Sequence, residues 1–241
     1  MPWKRPATVP LGQVWMRFEG REIDGKPARQ YQIRDLDEEY KEQCIELMRE
    51  TFLRDEPLCK LLDFKTDPIS VEEAVSHWRE WLQQDISLAC FSEEDGEPGQ
   101  LVAFNVLYVK TRDDEEDGDE IVGEKYAKII RTLDTAERLV DAFQHYGVEE
   151  YLTSSGVTVL PGHRGQNIAA KMFEAREPLC KAINIRATCT VFTATASQML
   201  AKKCGYELLA TLPYSDMLSQ GIDLTGCETD IAQIRGAKFD F

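Results

Sequence analysis

The sequence has few histidines, no closely spaced cysteine pair and no long apolar run. Its 241 residues include three histidines and seven cysteines, and no two cysteines form a Cys-x-x-Cys pair. Zinc sites use closely spaced cysteine and histidine ligands, so no metal site is predicted. An odd number of unpaired cysteines in a chain of this length is typical of reduced thiols in a cytosolic protein.

The apolar runs are also too short for a membrane. The longest, Leu101–Val109, contains Asn105 and falls well short of the ~20 residues of a spanning helix. The first six residues lack the apolar core of a secretory signal. We therefore expect a cytoplasmic protein with no membrane partner.

Positive charge is scarce, with 28 Lys and Arg residues against 43 Asp and Glu residues and a net charge of −15. Nucleic-acid binding needs a basic face, so this class is excluded. Seven acids lie between Asp113 and Glu120, in a segment that nearly matches an EF-hand calcium loop. A strand-like run precedes it where a helix is required, so we interpret it as a solvated acidic loop.

The composition that remains is that of a globular domain, with 43% hydrophobic and 29% charged residues. The length favours one domain over two. We expect residues 1–30, which Pro and Gly interrupt, to be a surface segment anchored by Trp3, Trp15 and Phe18. Residues 31–241 are expected to form the domain, and a monomer is assumed.

Hydrophobic periodicity predicts alternating strands and helices. The predicted helices are Glu38–Phe52, Val71–Gln84, Lys125–His145, Gly165–Ile183 and Ser197–Cys204. The predicted strands are Tyr31–Arg34, Ile86–Phe91, Leu101–Val109, Tyr151–Val159, Ala187–Thr193, Tyr206–Leu212 and Asp230–Phe239. Ser70 followed by Glu73 fits a capping box at the second helix. The pattern indicates an α/β fold with a mixed sheet of about seven strands flanked by helices.

The segment from Val157 to Lys171 is the most informative part of the chain. A β-rich run ends at Pro161, a turn containing Gly162 and Gly165 follows, and then an apolar-periodic helix begins. The first amides of a helix lack intrahelical partners and carry the positive end of its dipole, so this turn suits an anion. It is neither a Walker loop nor the GxGxxG of dinucleotide-binding proteins.

Three short motifs carry a family resemblance. Arg164–Ala169, RGQNIA, resembles the Arg/Gln-x-x-Gly-x-Gly/Ala pyrophosphate loop of the GCN5-related N-acetyltransferase superfamily. Lys203–Glu207 resembles the superfamily's Lys-x-Gly-Phe/Tyr-Glu ending, and Asp55–Leu58 resembles the Asp-Glu-Pro-Leu turn of insect arylalkylamine N-acetyltransferases. Asn167 replaces the usual first Gly of the loop, and Asn tolerates the unusual backbone angles there.

The resemblance covers roughly residues 30–240 and implies a mostly antiparallel central sheet and acetyl-CoA as the cofactor. It implies that Val157 and Val159 offer backbone hydrogen bonds to the pantetheine from a splayed strand. The pyrophosphate would be surrounded by Arg164, Gly165, Gln166, Asn167, Ile168 and Ala169.

The resemblance also assigns catalytic roles. Alkylamines have pKa values near ~10, so a base must remove a proton before the nitrogen can attack. Glu56 is implied to be that base, acting through water, and the hydroxyls of Thr193 and Ser197 are implied to lie near the thioester sulfur. Ser197 also suits a helix N-cap, which is compatible with a relay role. The Tyr that acts as an acid in many superfamily members is replaced by Ala201.

These motifs predict acetyl-CoA-dependent acetylation of small arylalkylamines such as dopamine, serotonin, tryptamine or octopamine. One alternative is another amine, such as histamine or a polyamine. A second is a CoA-binding protein without catalysis, because Asn167 departs from the loop pattern and the Tyr is missing.

Overall fold

A computed structural model describes residues 3–22, 27–113 and 121–241 of the chain. Its centre is one eight-stranded sheet. The strands are β1 Val14–Glu19, β2 Gln30–Asp35, β3 Leu88–Glu94, β4 Glu97–Thr111, β5 Glu150–Val159, β6 Ala187–Phe192, β7 Glu207–Pro213 and β8 Ile231–Lys238.

Nine α-helices accompany the sheet in the described part of the chain. They are α1 Glu38–Leu47, α2 Leu53–Asp55, α3 Pro57–Leu61, α4 Pro68–Leu82, α5 Glu124–Glu137, α6 Ala142–Tyr146, α7 Ile168–Glu174, α8 Arg176–Ile183 and α9 Thr195–Lys203. A π-helical turn, Met48–Phe52, joins α1 to α2, and 3-10 turns occupy Phe64–Thr66, Pro161–His163 and Tyr214–Gln220. None of the helices that the structure describes is both long and apolar enough to cross a membrane.

The strand order is β1-β2-β3-β4-β5-β6-β8-β7, and every neighbouring pair is antiparallel except β5 and β6. The parallel pairing of β5 with β6 is limited to Leu152 opposite Thr188. Beyond this pair the described structure has no further backbone pairing between the two strands, although the Thr153 and Thr190 hydroxyls still lie 3.5 Å apart. The carboxyl-terminal ends of β5 and β6 therefore border an unpaired part of the sheet.

Apolar side chains cover both faces of the sheet, because successive residues of a strand point to opposite sides. On β4, Phe104 and Val106 belong to the core beneath α1, α4 and α5. Leu107 and Val109 belong to the second core, which α7 and α8 cover. The fold is therefore a sheet between two helical layers, as the α/β prediction requires.

The first strand corrects the expectation for residues 1–30. Val14–Glu19 pairs with β2 as an additional edge strand, which makes eight strands where about seven were predicted. Asp35, fully buried, accepts hydrogen bonds from the Arg5 guanidinium at 3.0 and 2.9 Å, from Gln13 N at 2.9 Å and from Trp15 Nε1 at 2.7 Å. Trp3, Trp15 and Phe18 pack against the core that α7 and α8 cover.

The capping box predicted at Ser70 and Glu73 is wrong. Helix α4 begins earlier, and its cap is Asp67, which accepts from the amides of Ile69 and Ser70. The Glu73 carboxylate instead accepts from the amides of residues 122 and 123 at 2.8 and 2.9 Å, where α5 begins. A side chain of one helix thus satisfies the free amides at the start of another.

Two predicted long helices are each divided. The Lys125–His145 prediction becomes α5 and α6, and α6 has its own cap, since Asp141 accepts from Gln144 N at 2.9 Å. The Gly165–Ile183 prediction begins only at Ile168 and divides at Ala175. Pro178 lacks the N–H that would bond to the carbonyl of Glu174, so the chain starts a new helix there.

Candidate functional site

Glu56 lies in the turn between α2 and α3. Its backbone is extended, with φ −70° and ψ 129°, because the following Pro57 excludes a helical conformation. Its Oε2 accepts a hydrogen bond from Cys59 N at 2.7 Å and so caps α3. The side chain is half-buried, and neither of its hydrogen-bond partners in the described chain is charged.

The second carboxylate oxygen of Glu56 contacts the end of β6. Thr193 Oγ1 donates to Glu56 Oε1 at 2.7 Å, across 137 residues of sequence. The carbonyl of Thr193 in turn accepts from Thr229 Oγ1 at 2.6 Å. Two of the three predicted catalytic residues therefore lie in direct contact.

Ser197 is placed differently. The cap of α9 is Ala194, and Ser197 is the third residue of the helix, with its Oγ donating to Ala194 O at 2.8 Å. Ser197 is therefore not the helix N-cap. Ala201 and Tyr206 are both buried in one small apolar cluster. Tyr206 is therefore a core residue, and the position of the superfamily's acidic Tyr carries an alanine methyl group.

The cofactor strand prediction falls on the open part of the sheet. Val157 and Val159 pair with Asn105 and Ala103 of β4 on one side. On the other side, facing β6, they lie beyond Leu152 and Thr188, the one backbone pair between β5 and β6. Their edge facing β6 has no ladder in the described structure, which leaves it free for an extended ligand such as pantetheine.

The predicted phosphate loop follows β5 directly. Gly165 and Asn167 have positive φ angles of +81° and +66°, and Asn167 immediately precedes α7. Asn in this left-handed conformation is common, so the departure from Gly leaves the loop geometry intact. Arg164 Nε donates to Val159 O at 3.2 Å, and its guanidinium lies 4.0 Å from the carboxylate of Asp55.

A cavity of about 330 Å³ opens at this loop. It is lined by Arg21, Val159, His163, Arg164, Gly165, Asn167, Ile168, Ala169, Ala170, Leu200 and Lys203. Three of these residues are cationic and none is acidic, so the cavity suits an anion such as a pyrophosphate. Of the predicted loop residues, only Gln166 is missing from the lining.

The arrangement was compared with known proteins. No protein-family model matches the sequence, and a search of curated protein sequences gives no match. A solved structure of a yellow fever mosquito (Aedes aegypti) protein designated arylalkylamine N-acetyltransferase 7 is 29% identical. It covers 99% of this chain and 100% of its own, with a TM-score of 0.90.

Two further structures match at lower identity. The polyamine N-acetyltransferase of Drosophila melanogaster, which forms N-acetylagmatine, is 18% identical and has a TM-score of 0.69, covering 87% of this chain and 100% of its own. Arabidopsis thaliana NAA60 in complex with acetyl-CoA is 11% identical and has a TM-score of 0.51, covering 87% of this chain and 99% of its own. The chain has the GCN5-related N-acetyltransferase fold.

This acetyltransferase fold confirms the predicted family resemblance, the α/β class and the mostly antiparallel sheet. The Arabidopsis protein with this fold was solved in complex with acetyl-CoA, the cofactor that the sequence motifs predict. The open edge of β5 and the cationic cavity fit the two ends of that molecule, an extended pantetheine and a phosphate group.

The site also contains contacts that the sequence did not reveal. Gln166 Oε1 accepts from Arg21 N at 2.6 Å, so the segment after β1 forms one wall of the phosphate cavity. A Cβ on Gly20 would lie 2.4 Å from the same Gln166 oxygen and 2.8 Å from the buried Tyr31 ring, so a larger residue would displace one of these two side chains. No local motif signals a contact between residues 145 positions apart.

Tyr214, which directly follows β7, is a second residue near Glu56 that the sequence analysis did not identify. Its side chain is buried, and burial raises its pKa, with a further contribution from the negative charge of Glu56. Cys59, which contacts Glu56 through its amide, is also buried, and burial raises the pKa of its thiol. A protonated, buried thiol is a poor nucleophile, so the site offers no covalent acetyl-cysteine route.

One residue of the cavity lining, His163, has its hydrogen-bond partner outside the predicted loop. His163 is buried beside Tyr31, with its Nδ1 3.1 Å from the phenolic oxygen. No group of three potential metal ligands occurs in the residues that the structure describes. Most of the acidic segment, residues 114–120, falls outside the described residues, so its interpretation as a solvated loop stays a prediction.

Proposed function

We propose that the protein is an acetyl-CoA-dependent N-acetyltransferase that acetylates the primary amine of small arylalkylamines, with Glu56 as the general base. The observation that carries this proposal is the position of Glu56. It lies against Thr193 at the end of β6, where the sheet opens and the free edge of β5 begins. A base there would lie beside a ligand held along that edge.

Glu56 has the capacity to accept a proton from a substrate. A carboxylate offers about four lone-pair sites, and the hydrogen bonds from Cys59 N and Thr193 Oγ1 use two of them. A cationic amine is attracted to this negative charge and loses a proton to it, directly or through water, which leaves the nitrogen able to attack. The neutral nitrogen would form the amide bond to the acetyl carbon as the carbon–sulfur bond of acetyl-CoA breaks. The nitrogen then loses its second proton, the leaving thiolate takes up one proton, and the products are the amide and CoA thiol.

Thr193 extends the reach of the base. Its hydroxyl donates to Glu56, so a proton taken up by the carboxylate has a hydroxyl next to it along which it can be passed. Ser197 would have to turn its proton away from Ala194 O to take part, at the cost of that hydrogen bond. The pair of Glu56 and Thr193 is therefore the part of the predicted site that the contacts support best.

The choice of an arylalkylamine over other amines rests on the structural relatives rather than on a pocket lining. The acid next to the base, Asp55, is bound by Arg54 at 2.7 and 2.8 Å, so Glu56 is the carboxylate of this turn that remains for a substrate amine. The mosquito protein with 29% identity is named for arylalkylamines. The Drosophila protein acts on agmatine but is only 18% identical, so its substrate carries less weight.

A CoA-release assay over a panel of amines tests the proposal. The panel contains dopamine, serotonin, tryptamine and octopamine, with histamine, agmatine and spermidine as competitors. We expect turnover with the arylalkylamines at higher kcat/KM than with the other three. Calorimetric titration with CoA is run in parallel: binding without turnover of any amine would support the non-catalytic alternative, and no binding would refute the proposal altogether.

The role of the base is tested by Glu56→Gln, which keeps the side chain's shape and removes its negative charge. General bases contribute about 10²- to 10⁴-fold, so kcat should fall within that range while CoA affinity is retained. Asp55→Asn, in the adjacent position of the same turn, is the matched control and should change kcat by less than about threefold, the scale of an exposed ion pair. Full activity in Glu56→Gln would exclude this base.

A further inference from the structure

Arg176, the first residue of α8, is a buried cation without a counter-ion. Its side chain is 0% exposed. The guanidinium lies 4.1 Å from the Phe173 ring centroid and near the buried Tyr206 hydroxyl. Its Nη1 atom makes no hydrogen bond of normal geometry to the described residues. No ion pair among residues 3–22, 27–113 and 121–241 includes it. An arginine stays charged in proteins, so this positive charge is uncompensated.

The rest of the guanidinium is bound to one amide. Arg176 Nε and Nη2 both donate to Asn105 Oδ1, at 3.2 and 2.8 Å. Asn105 passes the interaction on, because its Nδ2 donates to Gly156 O and to Ser154 Oγ, each at 2.7 Å. A charge on the oxygen of an amide polarises its N–H groups and strengthens the bonds they donate.

These bonds hold β5 at the point where it is irregular. The pairing of β4 with β5 shifts by one residue between Ser154 and Gly156, which leaves Ser155 as a bulge. Gly156 has a φ of +152°, and a Cβ there would lie 2.9 Å from the Phe52 ring. Phe52 also belongs to the turn that presents the base, because its carbonyl accepts from Glu56 N at 2.9 Å. The bulge therefore contacts this turn through the Phe52 ring.

A purely structural role does not explain the charge. Burying an ion without an opposite charge is expensive, and apolar replacements of buried ions are often neutral or stabilising. Arg235 is also buried and has no carboxylate partner among the described residues, but it contacts a different part of the fold. It binds Gln233 Oε1 and Tyr206 O and makes no hydrogen bond to β4 or β5.

We propose that Arg176 is a positioning residue for acetyl transfer. It acts through Asn105 on the Gly156 bulge and so sets the Glu56 turn against the cofactor edge of β5. The inference rests on the proposed function for its catalytic consequence. Its structural part, the control of the β5 bulge by a distant charge, stands independently.

Arg176→Met is the primary test, since methionine fills a similar space without charge. We expect the melting temperature to stay the same or rise. Amide hydrogen exchange in the peptide covering residues 154–157 should become about tenfold faster, the scale of one lost hydrogen bond. A misplaced catalytic group costs up to about 10²-fold, so kcat should fall about 10- to 100-fold, with KM for acetyl-CoA within about twofold of wild type.

Asn105→Asp is the second test, because it supplies the missing counter-ion while replacing the donor to Gly156 O with an acceptor. It should raise the melting temperature by forming an ion pair with Arg176, and it should reproduce the faster exchange and lower kcat of Arg176→Met. Arg235→Met is the control, with wild-type exchange in residues 154–157 and wild-type kcat.

The outcomes separate this inference from the proposed function. Wild-type protein without turnover of any amine refutes the proposed function, and the exchange measurement still decides whether Arg176 controls the bulge. Unchanged exchange at residues 154–157 in Arg176→Met overturns the inference. Two other results would also overturn it. One is a loss of activity in Arg176→Met that is explained by a lower melting temperature, and the other is a wild-type kcat in Asn105→Asp.

Discussion

Asp35 and Glu56 are two carboxylates that differ in how many donors they bind. Asp35 is fully buried and accepts from an arginine, a tryptophan and a backbone amide, four hydrogen bonds in all. Glu56 is half-buried, and in the described chain it accepts from the Cys59 amide and the Thr193 hydroxyl, with the Cys59 thiol also beside it. A carboxylate has about four acceptor positions, so the first acid is saturated and the second is not.

The difference separates an acid that holds the fold from one that can do chemistry. The charge of Asp35 is neutralised by Arg5, and its lone pairs are occupied, so a substrate proton would displace an existing bond. No cation among the described residues binds Glu56, and its two hydrogen bonds leave acceptor positions free. Stability should therefore be sensitive to the first residue, and turnover to the second.

The largest stability effect is expected for Asp35→Ala. Removing one partner of a buried ion pair costs about 3–5 kcal/mol, because the remaining charge is left buried and unpaired. Chemical denaturation should show this loss in the free energy of unfolding, with kcat per folded molecule near the wild-type value. A stable Asp35→Ala protein with low kcat would reverse the comparison.

Thr193→Val tests the partner of Glu56 and should have an intermediate effect. Valine keeps the shape and removes the hydroxyl, so we expect kcat to fall about tenfold, equivalent to ~1.4 kcal/mol of transition-state free energy. Thr193→Ser retains the hydroxyl and should recover most of the activity. If serine fails to rescue, the methyl group rather than the hydrogen bond matters, and the relay is excluded.

The smallest effect is expected from His163, which is buried like Asp35 but neutral. Burial lowers its pKa, with the charge of Arg29 adding to the shift. The unfolded chain takes up a proton near pH 6.5, before the folded protein does, so folding stability declines as pH falls below that value. The slope due to one group is at most about 1.4 kcal/mol per pH unit.

The measurement is the free energy of unfolding between pH 5 and 8 for wild type and His163→Gln. The variant should lose less stability than wild type between pH 6.5 and 5, and the two curves should run parallel above pH 7. Parallel curves over the whole range would show that His163 titrates alike in both states.

The strand, turn and helix of the proposed cofactor side were predictable because their signals are local. Val157–Ala169 is one continuous stretch, and its strand, turn glycine and left-handed Asn167 can be interpreted from neighbours in sequence. The base side was only partly predictable. The Pro57 turn indicated where Glu56 would stand, whereas its hydrogen bond to Thr193 joins residues 137 positions apart.

The errors have the same origin. Ser70 and Glu73 have the spacing of a capping box, yet Glu73 caps the amides of another helix. β1 was predicted as surface segment because its contribution depends on pairing with β2 and on the Asp35 contacts. Such contacts depend on the assembled sheet, which periodicity along one segment does not describe.

The sheet has one weakly bonded junction, between β5 and β6, which separates β1 to β5 from β6, β8 and β7. Its backbone pairing is limited to Leu152 opposite Thr188, and the Thr153 and Thr190 hydroxyls lie 3.5 Å apart just beyond that pair. The hydrogen bond from Thr193 to Glu56 crosses the same junction outside the ladder. One side-chain contact therefore both orients the proposed base and joins the two parts of the sheet where backbone bonding is weakest.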